Sequence, residues 1–200
     1  YIMLVGKDCP QNLIWRKNLF ADYKGNRDKN EELNIKHFFM VAYDELFQKS
    51  GVGPVLSYPS LEADDCIAIT AKHLLETYED CHVYIIASDM DYSQLVQERV
   101  TIIDLKYKKL TDSKTCCEDA EKNLFCKIVS GDKSDNIPSI MPRCGYKTAV
   151  KYYDDRELFN KKLAEKKEYK IQYELNENLV SFKKIPQDLV NLFRQDCLGL

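Results

Sequence analysis

Apolar and polar residues recur along this chain in two periods. Short apolar runs at 1–5, 55–58 and 83–87 predict strands; the run at 83–87 has the continuous apolar character of a strand buried in a parallel sheet. The spacing of Ile35, Phe38, Phe39, Val41, Ala42, Leu46 and Phe47 predicts a helix over 35–47, stopped by Gly51-Val52-Gly53-Pro54. Ala63, Ile67, Ala71, Leu74, Leu75 and Tyr78 follow the helical period and predict a helix over 61–78, with Ser60 as its N-cap. A short helix is expected at 92–96, a strand or hairpin at 100–105 with 108–110, and a helix at 118–129. Segment 12–23, polar with spaced aromatics, predicts a loop and then a helix, and 27–32 a mobile charged stretch.

Short apolar strands alternating with amphipathic helices predict an α/β domain with a mostly parallel sheet. Beyond Gly131 the character changes. Residues 137–153 carry two prolines and a glycine before Lys147-Thr148-Ala149-Val150-Lys151, which reads as turns feeding a helix. A lysine-rich helix is expected at 158–173, a last strand at 178–182 and a helix at 186–193. The expected division is a core over 1–130 and a helical region over 131–200.

The 200 residues are 44% hydrophobic and 30% charged, a globular composition, and no apolar run approaches the roughly 18 residues needed to span a bilayer. No membrane association is expected. The chain opens on Tyr1 inside an apolar run without the charged leader of a signal peptide, and is read as beginning partway through a fold. Eight cysteines without a CxxC pair read as reduced thiols of an intracellular protein, cytoplasmic and nuclear locations being equally compatible. The net charge of −3 is no nucleic-acid signature, but basic residues gather at 16–27, 106–109, 147–151 and 161–170.

The acidic residues carry the chemistry. Asp8 follows the first apolar run. Glu62-Ala63-Asp64-Asp65 opens a helix, Ser88-Asp89-Met90-Asp91 follows a strand, and Gly131-Asp132-Lys133-Ser134-Asp135-Asn136 forms a loop. Each group alone reads as a helix cap or turn chemistry. Ligands of parallel α/β sheets bind beyond the carboxyl ends of the strands, where Asp8, Asp89 and Asp91 are expected. Converging carboxylates would have to take up protons unless a hard divalent cation joined them. Two ions roughly 4 Å apart would clamp a phosphodiester and activate water.

The order and spacing of these groups resemble the 5′-nuclease family. That family includes phage 5′-exonucleases, the 5′-nuclease domain of bacterial DNA polymerase I, and flap endonucleases. The resemblance rests on Glu62-Ala63-Asp64-Asp65 with Ile67-Ala68, Ser88-Asp89-Met90-Asp91-Tyr92-Ser93-Gln94-Leu95, and Gly131-Asp132-Lys133-Ser134-Asp135-Asn136-Ile137-Pro138. Upstream, Trp15-Arg16 and Tyr23-Lys24-Gly25-Asn26-Arg27 join it, and Asn178-Leu179-Val180 is a weaker echo. It implies a three-layer PIN/5′-nuclease-like α/β domain with a helix–two-turn–helix element over 137–153. It also implies a Mg²⁺- or Mn²⁺-dependent phosphodiesterase with two ions, acting on DNA with a 5′ flap, nick or free 5′ end, or on an RNA primer. Asp8, Glu62 and Asp64 would hold the first ion. Asp89, Asp91 and Asp135 would hold or approach the second, with Asp65 and Asp132 acting behind them or through water. Lys24 and Arg27 would contact the scissile phosphate. Arg16, Arg143, Lys147 and Thr148 would contact DNA, and a K⁺ ion would sit at the turn. A monomer is expected, with a polymerase or a single-strand-binding protein as candidate partner.

The chain departs from the family pattern in two places. Ser139-Ile140-Met141-Pro142-Arg143-Cys144-Gly145 has two glycines fewer than the usual turn, which bears on the K⁺ site first. No residue matches the acidic end of the family's first strand, and the stretch 28–53 is short for its arch over the 5′ strand. Two rivals stay open: a DNA-binding relative without catalysis, and a nuclease acting on RNA or RNA–DNA hybrids.

Overall fold

The computed structural model describes residues 1–26 and 35–199. The mobile stretch expected at 27–32 and Arg27 fall outside the described residues. The strands are short and all pair in parallel. β1 (Val5–Gly6) lies beside β2 (Val55–Leu56), and β3 (Val83–Ile86) beside β4 (Val100–Ile103), in the register Val83↔Val100 through Ile86↔Ile103. Between β2 and β3 runs α3 (Ala63–Thr77), so the parallel α/β pattern read from the sequence is present.

Helix α3 is buried over its first half on nearly every side, through Asp65, Cys66, Ala68, Ile69, Thr70 and Ala71. Small side chains make that packing close. A Cβ on Gly6 would lie 2.8 Å from the Ala63 carbonyl oxygen, so β1 can cross the helix start only as glycine. Helix α8 (Gln187–Leu198) packs against α3, with its Phe193 fully buried among Leu56, Leu61, Cys66 and Ile69. Burying such a side chain contributes about 1.5–3 kcal/mol.

The first helical run is continuous: α1 (Ile35–Val41), a π-helical stretch (Ala42–Leu46) and α2 (Phe47–Lys49), matching the expected 35–47. The wide turn directs Tyr43 at β1, where its hydroxyl reaches the Gly6 carbonyl at 3.5 Å and Lys7 lies 4.9 Å from its ring.

The helical part comprises α4 (Ala120–Ser130), α5 (Tyr146–Asp154), α6 (Arg156–Ala164) and α7 (Lys167–Val180). Phe125 of α4, Tyr152 of α5, Phe159 of α6 and Tyr173 of α7 share one cluster. The expected border at 130/131 thus falls at the end of a helix whose buried side chains pack with the helices that follow it.

Several expectations are corrected. Residues 1–3 are exposed, and β1 begins only at Val5, where pairing to β2 starts. Strand β3 is two-faced rather than buried throughout, because Tyr84 and Ile86 point away from the core that holds Ile85. Segment 12–23 forms short 3₁₀ turns at Gln11–Leu13 and Trp15–Asn18 and no α-helix. The lysine-rich helix is two helices, broken at Glu165-Lys166, where Lys166 is extended. The expected strand at 178–182 is the end of α7, whose Leu179 and Val180 are seated in the core. Ser60 lies at φ 71° and does not cap α3; Glu62 does.

Candidate metal centre

The start of α3 gathers acid by local rules. A helix N-terminus exposes amide donors and a positive dipole end, and carboxylates satisfy both. Asp65 reaches back to the Glu62 amide at 3.2 Å, Asp64 Oδ1 accepts from the Asp65 amide at 2.9 Å, and Asp8 Oδ1 accepts from the Ala63 amide at 2.8 Å. Asp8 is delivered by the backbone beyond β1, where Lys7 bonds the Leu56 carbonyl and Cys9 the Leu61 carbonyl. Carboxylate oxygens of Glu62, Asp64 and Asp65 lie within 4.8 Å of one another.

Arg16 organises this group from beneath. Its Nη1 and Nη2 donate to Asp65 Oδ2 and Oδ1 at 2.8 and 2.7 Å, Nη1 also donates to Glu62 Oε2 at 2.9 Å, and Nε donates to the Leu179 carbonyl at 2.7 Å. The Trp15 indole adds a bond to Asp65 Oδ2 at 3.0 Å and lies beneath the guanidinium, 4.5 Å from its ring to Cζ. Arg16 is only 2% exposed, and its donors turn inward to these acceptors. Both oxygens of Asp65 are taken up in this network.

Tyr23 and Lys24 tie the α3 group to the loop at 131–137. The Tyr23 hydroxyl lies 3.1 Å from Glu62 Oε2 and 3.0 Å from Asp135 Oδ2. Lys24 pairs with Glu62 and lies 3.9 Å from Asp135 Oδ2. Burial works against its ammonium, but Glu62 and Asp135 outweigh that and hold its pKa above the ordinary lysine value. Lys24 stands at φ 56°, and its amide bonds the Asp135 carbonyl at 3.0 Å. Left-handed non-glycine backbone is strained and collects at functional sites. The loop itself turns at Gly131, φ 71°, where a Cβ would meet the Pro138 backbone at 2.5 Å.

A second group surrounds Lys127 of α4. Its ammonium sits against Asp91 and 2.7 Å from Asp132 Oδ2. Asp132 Oδ1 accepts from the Ser134 amide and hydroxyl at 2.8 and 2.6 Å. Burial pushes its carboxyl up, but Lys127 and the Ser134 donors prevail and bring it to about 2. Asp89, at the end of β3, caps a 3₁₀ helix (Met90–Leu95) by accepting from the Asp91 amide at 2.9 Å. The two groups meet around Tyr92. Burial raises its hydroxyl pKa first, and the charges of Asp64, Asp89, Asp8 and Asp65 raise it further.

The donor set suits a hard cation. The α3 group with Asp135 offers carboxylate oxygens and no histidine or cysteine ligand. Two cationic side chains, Arg16 and Lys24, face four carboxylates there. The imbalance registers at Asp64, which burial first and the Asp65 charge second push up to about 7. A divalent cation would return it to the ionised state.

Of the residues expected at the site, the structure gathers Asp8, Glu62, Asp64, Asp65 and Asp135 with Lys24, and Asp91 and Asp132 beside Lys127, with Asp89 bonded to the Asp91 amide. Arg143, Lys147 and Thr148 lie apart, at the turn before α5 and its first positions; Arg143 and Lys147 are exposed. Arg143 adopts φ 60°, so an arginine supplies the left-handed residue that a glycine commonly provides. Sequence reasoning missed Lys127, and it placed Tyr23 and Leu179 in motif segments without giving either a role at the site. Lys127 left a signal: it is the single cation in the apolar run Leu124-Phe125-Cys126-Lys127-Ile128-Val129.

Residues 2–124 match the family of the 5′-3′ exonuclease N-terminal, resolvase-like domain. The chain is 32% identical over 158 residues to DNA polymerase I of Bacillus caldotenax, covering 74% of this chain and 17% of that protein. It is 30% identical over 161 residues to the 5′-3′ exonuclease of Aquifex aeolicus, covering 74% of this chain and 53% of that protein. The chain therefore spans about a sixth of the polymerase relative and about half of the exonuclease. Among solved structures it is similar to the bacteriophage T5 D15 protein co-crystallized with metal ions (TM-score 0.72, 20% identity, 98% of this chain and 83% of that one). The T5 D15 flap endonuclease in a pseudo-enzyme–product complex with DNA and metal ions gives a TM-score of 0.71 at 20% identity, covering 98% of this chain and 81% of that one. The fold is the resolvase-like PIN/5′-nuclease fold. Matched over more than half its length by the family's profile, the chain belongs to the 5′-3′ exonuclease N-terminal, resolvase-like domain family.

Proposed function

We propose that the chain is the nuclease part of a Mg²⁺- or Mn²⁺-dependent enzyme that hydrolyses phosphodiester bonds near 5′ ends of DNA. The single observation that carries this is the all-oxygen cluster of Glu62, Asp64 and Asp65, which carries more negative charge than its buried cations balance. Asp8, Glu62 and Asp64 would hold one ion, and Asp89, Asp91 and Asp135 would hold or approach a second. Bound there, such ions supply Lewis acidity toward the phosphate and an activated water. Asp65 orients Glu62 through the shared guanidinium of Arg16. Asp132 keeps Lys127 placed beside Asp91. Lys24, released from Glu62 as the cluster gains positive charge, would donate to the scissile phosphate, with Arg27 as its partner. Lys147, Thr148 and the exposed Arg143 would meet duplex phosphates, and a K⁺ ion would bind the turn before α5. The substrates are 5′-flapped, nicked or free-ended DNA, RNA-primed ends included. The enzyme works as a monomer, with a polymerase or a single-strand-binding protein as partner.

The test is cleavage of an end-labelled 5′-flap duplex by the full chain in Mg²⁺. Cutting is expected, and Asp64→Asn should slow it by about 10²–10³-fold while DNA binding in Ca²⁺ stays within about threefold. Equal cutting by Asp64→Asn, or cutting that persists in a chelator, would overturn the reading. A matched substrate with an RNA 5′ strand decides between DNA and RNA.

A further inference from the structure

Arg16 makes four hydrogen bonds, and three go to the carboxylates at the start of α3. The fourth, from Nε to the Leu179 carbonyl at 2.7 Å, joins residues 163 apart in sequence. The last carbonyls of a helix have no intrahelical donor and must find one elsewhere. Two of those at the end of α7 are satisfied by side chains from the acidic region. Leu179 receives Arg16, and Val180 receives Gln94 Nε2 at 3.0 Å, while Gln94 Oε1 accepts from the Phe182 amide at 2.9 Å. Gln94 belongs to the 3₁₀ helix that Asp89 caps. Each half of the carboxylate constellation therefore holds one of the closing carbonyls of α7.

The same helix reaches toward the turn before α5. Asn176 is fully buried, and its Nδ2 donates to the Ile128 and Pro138 carbonyls, both at 2.8 Å. Pro138 begins the turn that leads to Arg143 and Lys147. A path of direct bonds thus runs from that turn through α7 and Arg16 to Asp65 and Glu62.

We infer that Arg16 is a positioning residue, clasping the carboxylates at the start of α3 to the end of α7 so that the helical region and the metal-binding face hold one alignment. The inference rests on the proposed nuclease reading for its consequence in catalysis. A planar guanidinium suits the task because it satisfies a bidentate carboxylate and a carbonyl at once; an ammonium presents one point of charge and cannot span both. Mutating groups that orient metal ligands costs about 10–100-fold in metal affinity or activity.

The test compares the full chain with Arg16→Lys and Gln94→Leu. Arg16→Lys keeps the charge and should fold; Gln94→Leu removes the second clasp while leaving Arg16 in place. Mn²⁺ affinity is measured by spin resonance, and amide exchange is followed by mass spectrometry for peptides covering 61–66, 177–182 and 120–130. In Arg16→Lys, Mn²⁺ should bind about tenfold more weakly. Exchange should rise together at 61–66 and 177–182 while 120–130 stays protected. On flap DNA, kcat should fall with KM within about threefold. Gln94→Leu should raise exchange at 177–182 and leave 61–66 unchanged. Exchange rising equally in all three peptides of Arg16→Lys would mark a buried ion pair that serves stability alone and would overturn the inference, as would unchanged exchange with unchanged Mn²⁺ affinity. If the wild-type chain neither binds Mn²⁺ nor cuts, the nuclease reading falls, and the exchange pattern still decides the clasp.

Discussion

The two acidic groups of this site are paired with cations in different ways. At the start of α3, Asp65 is gripped by both terminal nitrogens of Arg16 and by the Trp15 indole, and neither Asp65 nor Arg16 is more than 2% exposed. Around α4, Asp91 and Asp132 share the single ammonium of Lys127, and all three side chains keep 14–18% of their surface in solvent. A forked, weakly hydrated guanidinium fixes direction as well as charge. An ammonium on a flexible stem fixes charge alone. The contrast implies one rigid wall and one adaptable wall, and an ion would meet them differently.

The comparison can be broken in three ways. The largest effect is expected from Asp65→Asn, which leaves a buried arginine without its main counter-charge. Removing one partner of a buried pair costs about 3–5 kcal/mol. Urea unfolding should show that loss, and added Mn²⁺ should not restore it, because an ion cannot replace the anion Arg16 needs. A loss below 1 kcal/mol would place this pair with ordinary surface bridges. Lys127→Met should cost less, about 1–2 kcal/mol after allowing for its partial exposure. Here Mn²⁺ should recover part of the loss, since an ion can take over the role of the ammonium between Asp91 and Asp132; no recovery would show that the second wall is as specific as the first.

The smallest effect should come from Asp119→Ala. Asp119 caps α4, the helix that carries Lys127, by accepting from the Lys122 amide at 3.0 Å. That bond holds its carboxyl below the ordinary value, with burial opposing. Losing the cap costs about 1 kcal/mol at neutral pH. Because the folded carboxyl titrates below the unfolded one, its contribution is complete above about pH 4 and fades as pH falls through the lower folded value. The gap in melting temperature between wild type and Asp119→Ala should therefore close in acid. A gap that stays constant down to pH 2 would assign the effect to helix propensity instead.

Much of this site was legible because its chemistry is local. Glu62, Asp64 and Asp65 lie within one helical turn, and their types suit a helix start whatever surrounds it. Asp89 and Asp132 lie in turns of recognisable composition. What stayed hidden needed the third dimension. The resemblance implies a DNA contact for Arg16, and nothing local reveals a carbonyl acceptor 163 residues away. Main-chain acceptors such as Leu179 carry no side-chain signature. The same gap explains the fold errors. Leu179-Val180-Ser181-Phe182 is apolar enough for a strand, and only the buried seat of α7 keeps Leu179 and Val180 helical. The break at Glu165-Lys166 lacks the glycine or proline that would announce it.

Tyr23 has one hydroxyl hydrogen and lies within bonding distance of two acidic oxygens, Glu62 Oε2 and Asp135 Oδ2. The next residue along the chain, Lys24, sets a positive charge beside both carboxylates. Electrical balance and loop closure are thus a single event in this molecule. The turn that brings the ammonium to Glu62 is stitched by its own amide to the Asp135 carbonyl, so the same two residues join the segments through main chain and side chain at once.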